Sequence, residues 1–130
     1  MLRVQQKDLH WEKYLISDNV VKEIDGKQYR RLCKSSVVSS RTGTHVYVDI
    51  ETDLALFRVE GAIHAVTNIC PHKREPAIFD GFVQDGTVVC PMHGWCFDIR
   101  TGKNTSVGAS LTVYPVLERD GWVWLEIKTE

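Results

Sequence analysis

Long apolar runs are missing from this 130-residue chain, and so is an excess of either charge. No stretch approaches the ~20 consecutive apolar residues that a membrane-spanning helix requires. Sixteen Lys and Arg against seventeen Asp and Glu leave a formal charge of −1. That balance argues against a nucleic-acid or membrane-surface binder, which carries a basic footprint. The N-terminus, MLRVQQKDLHWEKYLISDN, has neither an apolar signal core nor a small-residue cleavage site. The chain therefore reads as cytoplasmic. Proline is scarce, with four in all, and no histidine follows residue 93. What remains is 43 % apolar and 25 % charged, the composition of one soluble domain with little chain to spare for a deep substrate cleft.

Four cysteines, at 33, 70, 90 and 96, and five histidines are the chemically unusual content. In a cytosolic chain they suggest metal or redox chemistry before disulfides. Two of the scarce prolines stand directly after cysteines, in Cys70-Pro71-His72 and Cys90-Pro91-Met92-His93-Gly94. Each proline fixes a backbone angle and removes an N–H, which stiffens the loop carrying a thiolate and an imidazole. Two such loops offer two soft and two borderline ligands, enough for one tetrahedral zinc or for two tetrahedral irons. The seventeen residues between His72 and Cys90 are long enough for a hairpin that brings the loops together.

Cys-x-His, seventeen residues, Cys-x-x-His resembles the signature of Rieske-type [2Fe–2S] ferredoxins, in which two histidines replace two cysteines on one iron. The flanks AVTNICPH, GFVQDGTVVCPMHGW, FDIRTG and YPVLERDGWVWLEI resemble the bacterial members, over roughly residues 28–130. The resemblance implies one Rieske cluster per chain. Cys70 and Cys90 would ligate the inner iron, and His72 and His93 the outer, more exposed one. It also implies a Rieske-like domain over 28–130, preceded by an N-terminal extension over 1–27.

Departures from the high-potential members of that family tune the expectation. Their second pair of cysteines, joined by a disulfide, has no counterpart here: Met92 stands in the second loop, and the first loop, His72 to Pro76, has no cysteine. Their serine and tyrosine hydroxyls after His-Gly are replaced by Trp95 and Phe97. Fewer hydrogen-bond donors leave the reduced centre less stabilised. The potential should lie toward the negative end of the roughly −150 to +300 mV Rieske span. It should fall with pH at alkaline values. Ala77 and Ile78 stand where leucine often follows the first-loop proline. Lys73 and Arg74 read either as a solvated pair or as a steering patch for an acidic partner.

From residue 45 onward, short strands alternate with turns: 45–50, 54–59, 62–67, 87–90, 96–99, 111–117 and 122–127. Glu60-Gly61, Asp80-Gly81, Asp85-Gly86, Thr101-Gly102 and Asp120-Gly121 supply turn chemistry. This predicts an all-β fold, a small antiparallel barrel or sandwich with the two cluster-binding loops at one end. Leu9, Trp11, Tyr14, Leu15 and Ile16 suggest an amphipathic turn or helix packed on it, or an interaction arm. His64 reads as structural, and His10 and His45 as surface residues. Cys33 and Cys96 read as non-ligands, Trp95 as a cover over the loops, and Phe97 and Tyr114 as core.

The resemblance implies a soluble one-electron carrier between a reductase and a terminal oxidoreductase, such as a ring-hydroxylating dioxygenase. No catalytic residues are assigned. The small subunit of an assimilatory nitrite reductase is a related alternative, and a structural zinc module using the same Cys2His2 set is one from a different class. Oxygenation by this polypeptide alone is not expected, because no histidine follows His93 to build a second iron site.

Overall fold

A computed structural model describes residues 14–92, 94–105 and 108–128. Fourteen strands, β1 to β14, carry the described chain, with two short 3-10 turns at Ser35–Val37 and Ile78–Asp80. A five-stranded sheet runs β1-β4-β5-β6-β12: Leu15–Ile16, Thr44–Asp49, Thr52–Val59, Ala62–Thr67 and Val113–Tyr114. A four-stranded sheet runs β13-β14-β3-β2: Val116–Arg119, Trp122–Glu126, Lys27–Lys34 and Val21–Ile24. Two smaller sheets hold the loop end: β11-β10-β9 (Cys96–Asp98, Thr87–Val89, Phe82–Gln84) and β7-β8 (Ile69–Cys70, Glu75–Pro76). The sheets do not close into a barrel. Their ladders are antiparallel except for β1, which lies parallel to β4.

Four hairpins are closed by a two-residue turn in which both residues have positive φ. They are Asp25-Gly26, Glu60-Gly61, Asp85-Gly86 and Asp120-Gly121. Turns of this hand match the twist of the strands they join. Asp80-Gly81 differs: it ends a 3-10 turn, with Gly81 at φ −74. The run 111–117 divides into β12 and β13 around Pro115, which has no N–H to donate to a ladder.

β5 forms the wall between two cores. Leu54 and Leu56 face one that includes Leu32, Cys33, Val46, Val48, Val123 and Leu125. Ala55, Phe57 and Val59 face the other, which holds Val66, Ile78, Val88, Phe97, Ile99 and both Cys70 and Cys90. Successive strand side chains point to opposite faces, so a strand covered on both sides reads as an unbroken apolar run, as LALF does. Each fully buried Phe or Leu on β5 stabilises the fold by about 1.5–3 kcal/mol relative to exposure.

Several local readings change. Leu15–Ile16 form a strand on β4 where an amphipathic turn or helix was one expectation, while Leu9, Trp11 and His10 lie outside the described residues. The Ser17 hydroxyl donates to the Arg31 carbonyl at 2.6 Å, and β2 pairs along β3. His45, expected at the surface, is buried. The reason is a carboxylate within reach: its Nε2 lies 2.6 Å from Asp53 Oδ1, and its ring stacks on Phe79 at 4.8 Å. Cys33 and Phe97 are core as expected, while Tyr114 is half-buried against the edge of the first core. In β14 the register shifts between Val123 and Trp124, and both side chains are buried.

Candidate metal centre

Two loops converge on the second core. The first starts at Cys70, the end of β7, and returns through β8, so that Cys70 pairs with Glu75 and Ile69 with Pro76. The Arg74 N–H donates to the Cys70 carbonyl at 2.6 Å. The second loop leaves β10 at Cys90. The Gly94 N–H donates to the Cys90 carbonyl at 2.9 Å, and the Cys90 N–H donates to the Trp95 carbonyl at 2.8 Å. Both loops are therefore the same turn, closed by the amide four residues after the cysteine. Pro71 and Pro91 occupy its second position in both.

The cysteines sit at the bottom of these turns and are nearly inaccessible, each 1 % exposed. Both thiols belong to the same buried cluster. Burial first, and then the neighbouring Cys90, raises the Cys70 thiol above its ordinary value. A pair of neighbouring, desolvated thiols with no other use for their protons is a donor set that a metal centre satisfies, because the metal displaces both protons. His72 is exposed on the first loop, and its ring stacks on Trp95 at 4.5 Å. Trp95 thus covers the loop as expected. The structure brings Cys70 and Cys90 into one buried cluster and leaves His72 exposed on the same loop as Cys70; His93 lies outside the described residues. Among the described residues, no three of His, Cys, Asp and Glu are grouped as for a single ion.

Asn68 is the residue that the sequence reading missed. It is fully buried and staples both ends of the first loop. Its backbone carbonyl accepts from the Ile78 N–H at 3.1 Å, and its Oδ1 accepts from the Phe79 N–H at 2.7 Å. Its Nδ2 donates to Asp53 Oδ2 at 3.3 Å, and the other Asp53 oxygen holds His45. A buried polar chain of this kind fixes a single geometry when its members are bonded. One atom, His45 Nδ1, has no hydrogen-bond partner. An asparagine two residues before the first cysteine was the available signal.

The remaining titratable candidates take structural places. Cys33 is buried in the first core, where desolvation pushes its thiol up to about 11. Cys96 is half-buried on β11, paired with Val89. His64 is half-buried on β6, and burial, aided by Arg100, holds its ring below the ordinary value.

The open β-sheet fold and the paired cysteine turns define a small β domain built around a two-loop Cys/His centre. The chain belongs to the Rieske [2Fe–2S] domain family, whose model matches residues 28–115. The 3-phenylpropionate/cinnamic acid dioxygenase ferredoxin subunit of Photorhabdus laumondii is 36 % identical over 86 residues, covering 64 % of this chain and 81 % of that one. The 4beta-methylsterol monooxygenase of Methylococcus capsulatus is 36 % identical over 85 residues, 56 % of this chain but only 23 % of that protein. Among solved structures, the ferredoxin of Sphingomonas yanoikuyae B1 superposes with a TM-score of 0.68 at 32 % identity, covering 77 % of this chain and 99 % of that one. The cofactor of this family is the Rieske [2Fe–2S] cluster, and the neighbouring buried thiols fit it. Among the described residues, no helix is long and apolar enough to cross a membrane.

Proposed function

We propose that the chain is a one-electron carrier that takes electrons from a reductase and delivers them to a terminal oxidoreductase, such as a ring-hydroxylating dioxygenase. The observation that carries this reading is the pair of buried thiols in one cluster at the start of two matching turns, with His72 exposed on the first. Cys70 and Cys90 would hold the inner iron, and His72 and His93 the outer one. When bound, the cluster supplies reversible one-electron chemistry.

The protein's own residues do the rest. The second core closes around both cysteines and keeps water from the sulfur side. Pro71 and Pro91 stiffen the turns, and Asn68 fixes the first against the body of the fold. His72 is exposed, which supports an electron exit at the surface rather than at the end of a cleft. Phe97 is fully buried and offers no hydroxyl, in agreement with a low potential. Residues 28–130 form the electron-carrying domain in this reading, and 1–27 an N-terminal extension whose described part packs as edge strands. Conversion of a substrate belongs to the partner and not to this polypeptide.

A reconstituted assay tests the proposal. The cluster-loaded chain is added to the reductase and oxygenase of a ring-hydroxylating system from which the native ferredoxin has been left out. Restored NADH-dependent product formation, absent with Cys90→Ser, is the expected result. A loaded chain that neither accepts an electron from the reductase nor passes one on would contradict it.

A further inference from the structure

The two cysteine turns differ in one telling residue. In each, the amide that closes the turn belongs to a residue with positive φ: Gly94 at 78° and Arg74 at 58°. Glycine occupies this region freely, whereas a side chain makes it costly. The other non-glycine residues with positive φ have evident reasons. Asp25, Glu60, Asp85 and Asp120 open two-residue hairpin turns that demand it, and Asn19 is of a type that tolerates it. At Arg74 the cysteine turn requires it too, yet arginine is not of a type that tolerates it, and the matching position of the second turn is glycine.

Nor does the fold use its guanidinium. Arg30, Arg31, Arg58, Arg100 and Arg119 pair with Asp49, Asp18, Glu118, Glu60 and Asp25. Among the described residues neither Arg74 nor Lys73 has an ion-pair partner, and both are exposed beside His72. Arg41 also lacks an ion pair there, but it pays no backbone cost. Glu75, the next residue, does not neutralise Arg74; one of its carboxylate oxygens, Oε1, is buried without a donor. Pro76, Phe79, Pro91 and Met92 line a mostly apolar depression adjoining the loop, with Glu75 and Asp80 also in its wall.

We propose that Arg74, with Lys73, is a docking site for a carboxylate-bearing surface of the redox-partner protein, beside the exposed His72. The assignment rests on the electron-carrier reading above. A guanidinium receives a carboxylate through two parallel hydrogen bonds, while the adjoining apolar depression supplies the desolvated centre that such contacts need. Opposite charge at the point of electron exit also raises the rate of productive encounter.

The test uses the full, cluster-loaded chain and two small oxidants of opposite charge. After reduction, one electron leaves each protein and converts Co(III) in anionic Co(EDTA)⁻ to Co(II), or Ru(III) in cationic hexaammineruthenium to Ru(II). At low ionic strength, Arg74→Gly should slow the anionic reaction about threefold to tenfold and speed the cationic one, with both differences vanishing in high salt. Poly-L-glutamate should slow electron exchange of the wild type and not of Arg74→Gly. Lys22→Gln, which removes one positive charge from the four-stranded sheet, should leave both rates unchanged. The melting temperature and cluster content of Arg74→Gly should not fall, because glycine fits the turn better. Equal anionic rates for wild type and Arg74→Gly, or a loss of melting temperature and cluster in that variant, would overturn the docking role while leaving the carrier reading in place. A wild-type chain that loads no cluster would overturn the carrier reading itself.

Discussion

The first and second cysteine loops share one turn but are secured by different means. The second loop belongs to a hairpin ladder: β10 pairs with β11 through Val89 and Cys96, and the Cys90 amide is bonded to Trp95. The first has only two residues of ladder on each side, and it relies on the side chain of Asn68 to tie its return to the body of the fold. A regular sheet holds one loop through backbone bonds that most sequences could supply. A single buried amide holds the other. The first loop should therefore be more sensitive to one side-chain change, and the second to one backbone change.

The largest effect should come where the loops act together. Cys70→Ser or Cys90→Ser should abolish iron and sulfide incorporation entirely, whereas Cys33→Ser should leave both intact, as read by metal and sulfide analysis. Next, Asn68→Ala removes the acceptor for the buried Phe79 N–H and the donor to Asp53. It should destabilise the fold by about 2–3 kcal/mol in urea denaturation, because an orphaned buried donor incurs its full desolvation penalty. It should also speed iron release to a chelator. An unchanged release rate would show that the first loop is held by its short ladder alone.

An alkaline limb of comparable size should arise outside both loops. Cys33 is raised from an ordinary 9.0 to about 11 in the folded chain. Its unfolded thiol ionises first, so its contribution to stability is present in full below pH 9.0 and lost as the pH rises through about 11. The loss should amount to about 2–3 kcal/mol. Cys33→Ala should flatten this limb, which melting curves across that range would reveal. The smallest effect is expected for Gly94→Ala. An added Cβ there meets nothing within 4 Å, so only the left-handed backbone is penalised, by about 1 kcal/mol. Alanine should therefore cost more at position 68 than at position 94.

The cysteine and histidine spacing made the loops legible in the sequence, because few other arrangements place two prolines behind two cysteines. The hairpin turns Glu60-Gly61, Asp85-Gly86 and Asp120-Gly121 were equally readable, since their chemistry is local, whereas Asp80-Gly81 carries the same kind of dipeptide and ends a 3-10 turn. The strand KQYRRLCK, β3, was not. Its charged residues suggest a solvated segment, yet Arg30 and Arg31 are absorbed by Asp49 and Asp18 while Leu32 and Cys33 enter the core. The preceding Asp25-Gly26 turn was the clue to the β2–β3 hairpin. His45 was misplaced for a related reason: a histidine in an alternating strand reads as outward until a carboxylate on the next strand, Asp53, is known to face it. Such long-range pairings decide burial and leave no mark in local pattern. The reach of Asn68 across the first loop, to Ile78 and Phe79, is legible only once the loop is folded.

The central claim is that these two turns hold a Rieske cluster through two buried thiols and two outer imidazoles. Iron and acid-labile sulfide analysis of the purified chain, combined with electron paramagnetic resonance after reduction, tests it most directly. A red-brown protein with two irons and two sulfides per chain, as the family's [2Fe–2S] centre requires, and a reduced-state signal at an average g below the free-electron value is predicted. A colourless, zinc-loaded protein that cannot be reconstituted with iron and sulfide would contradict it.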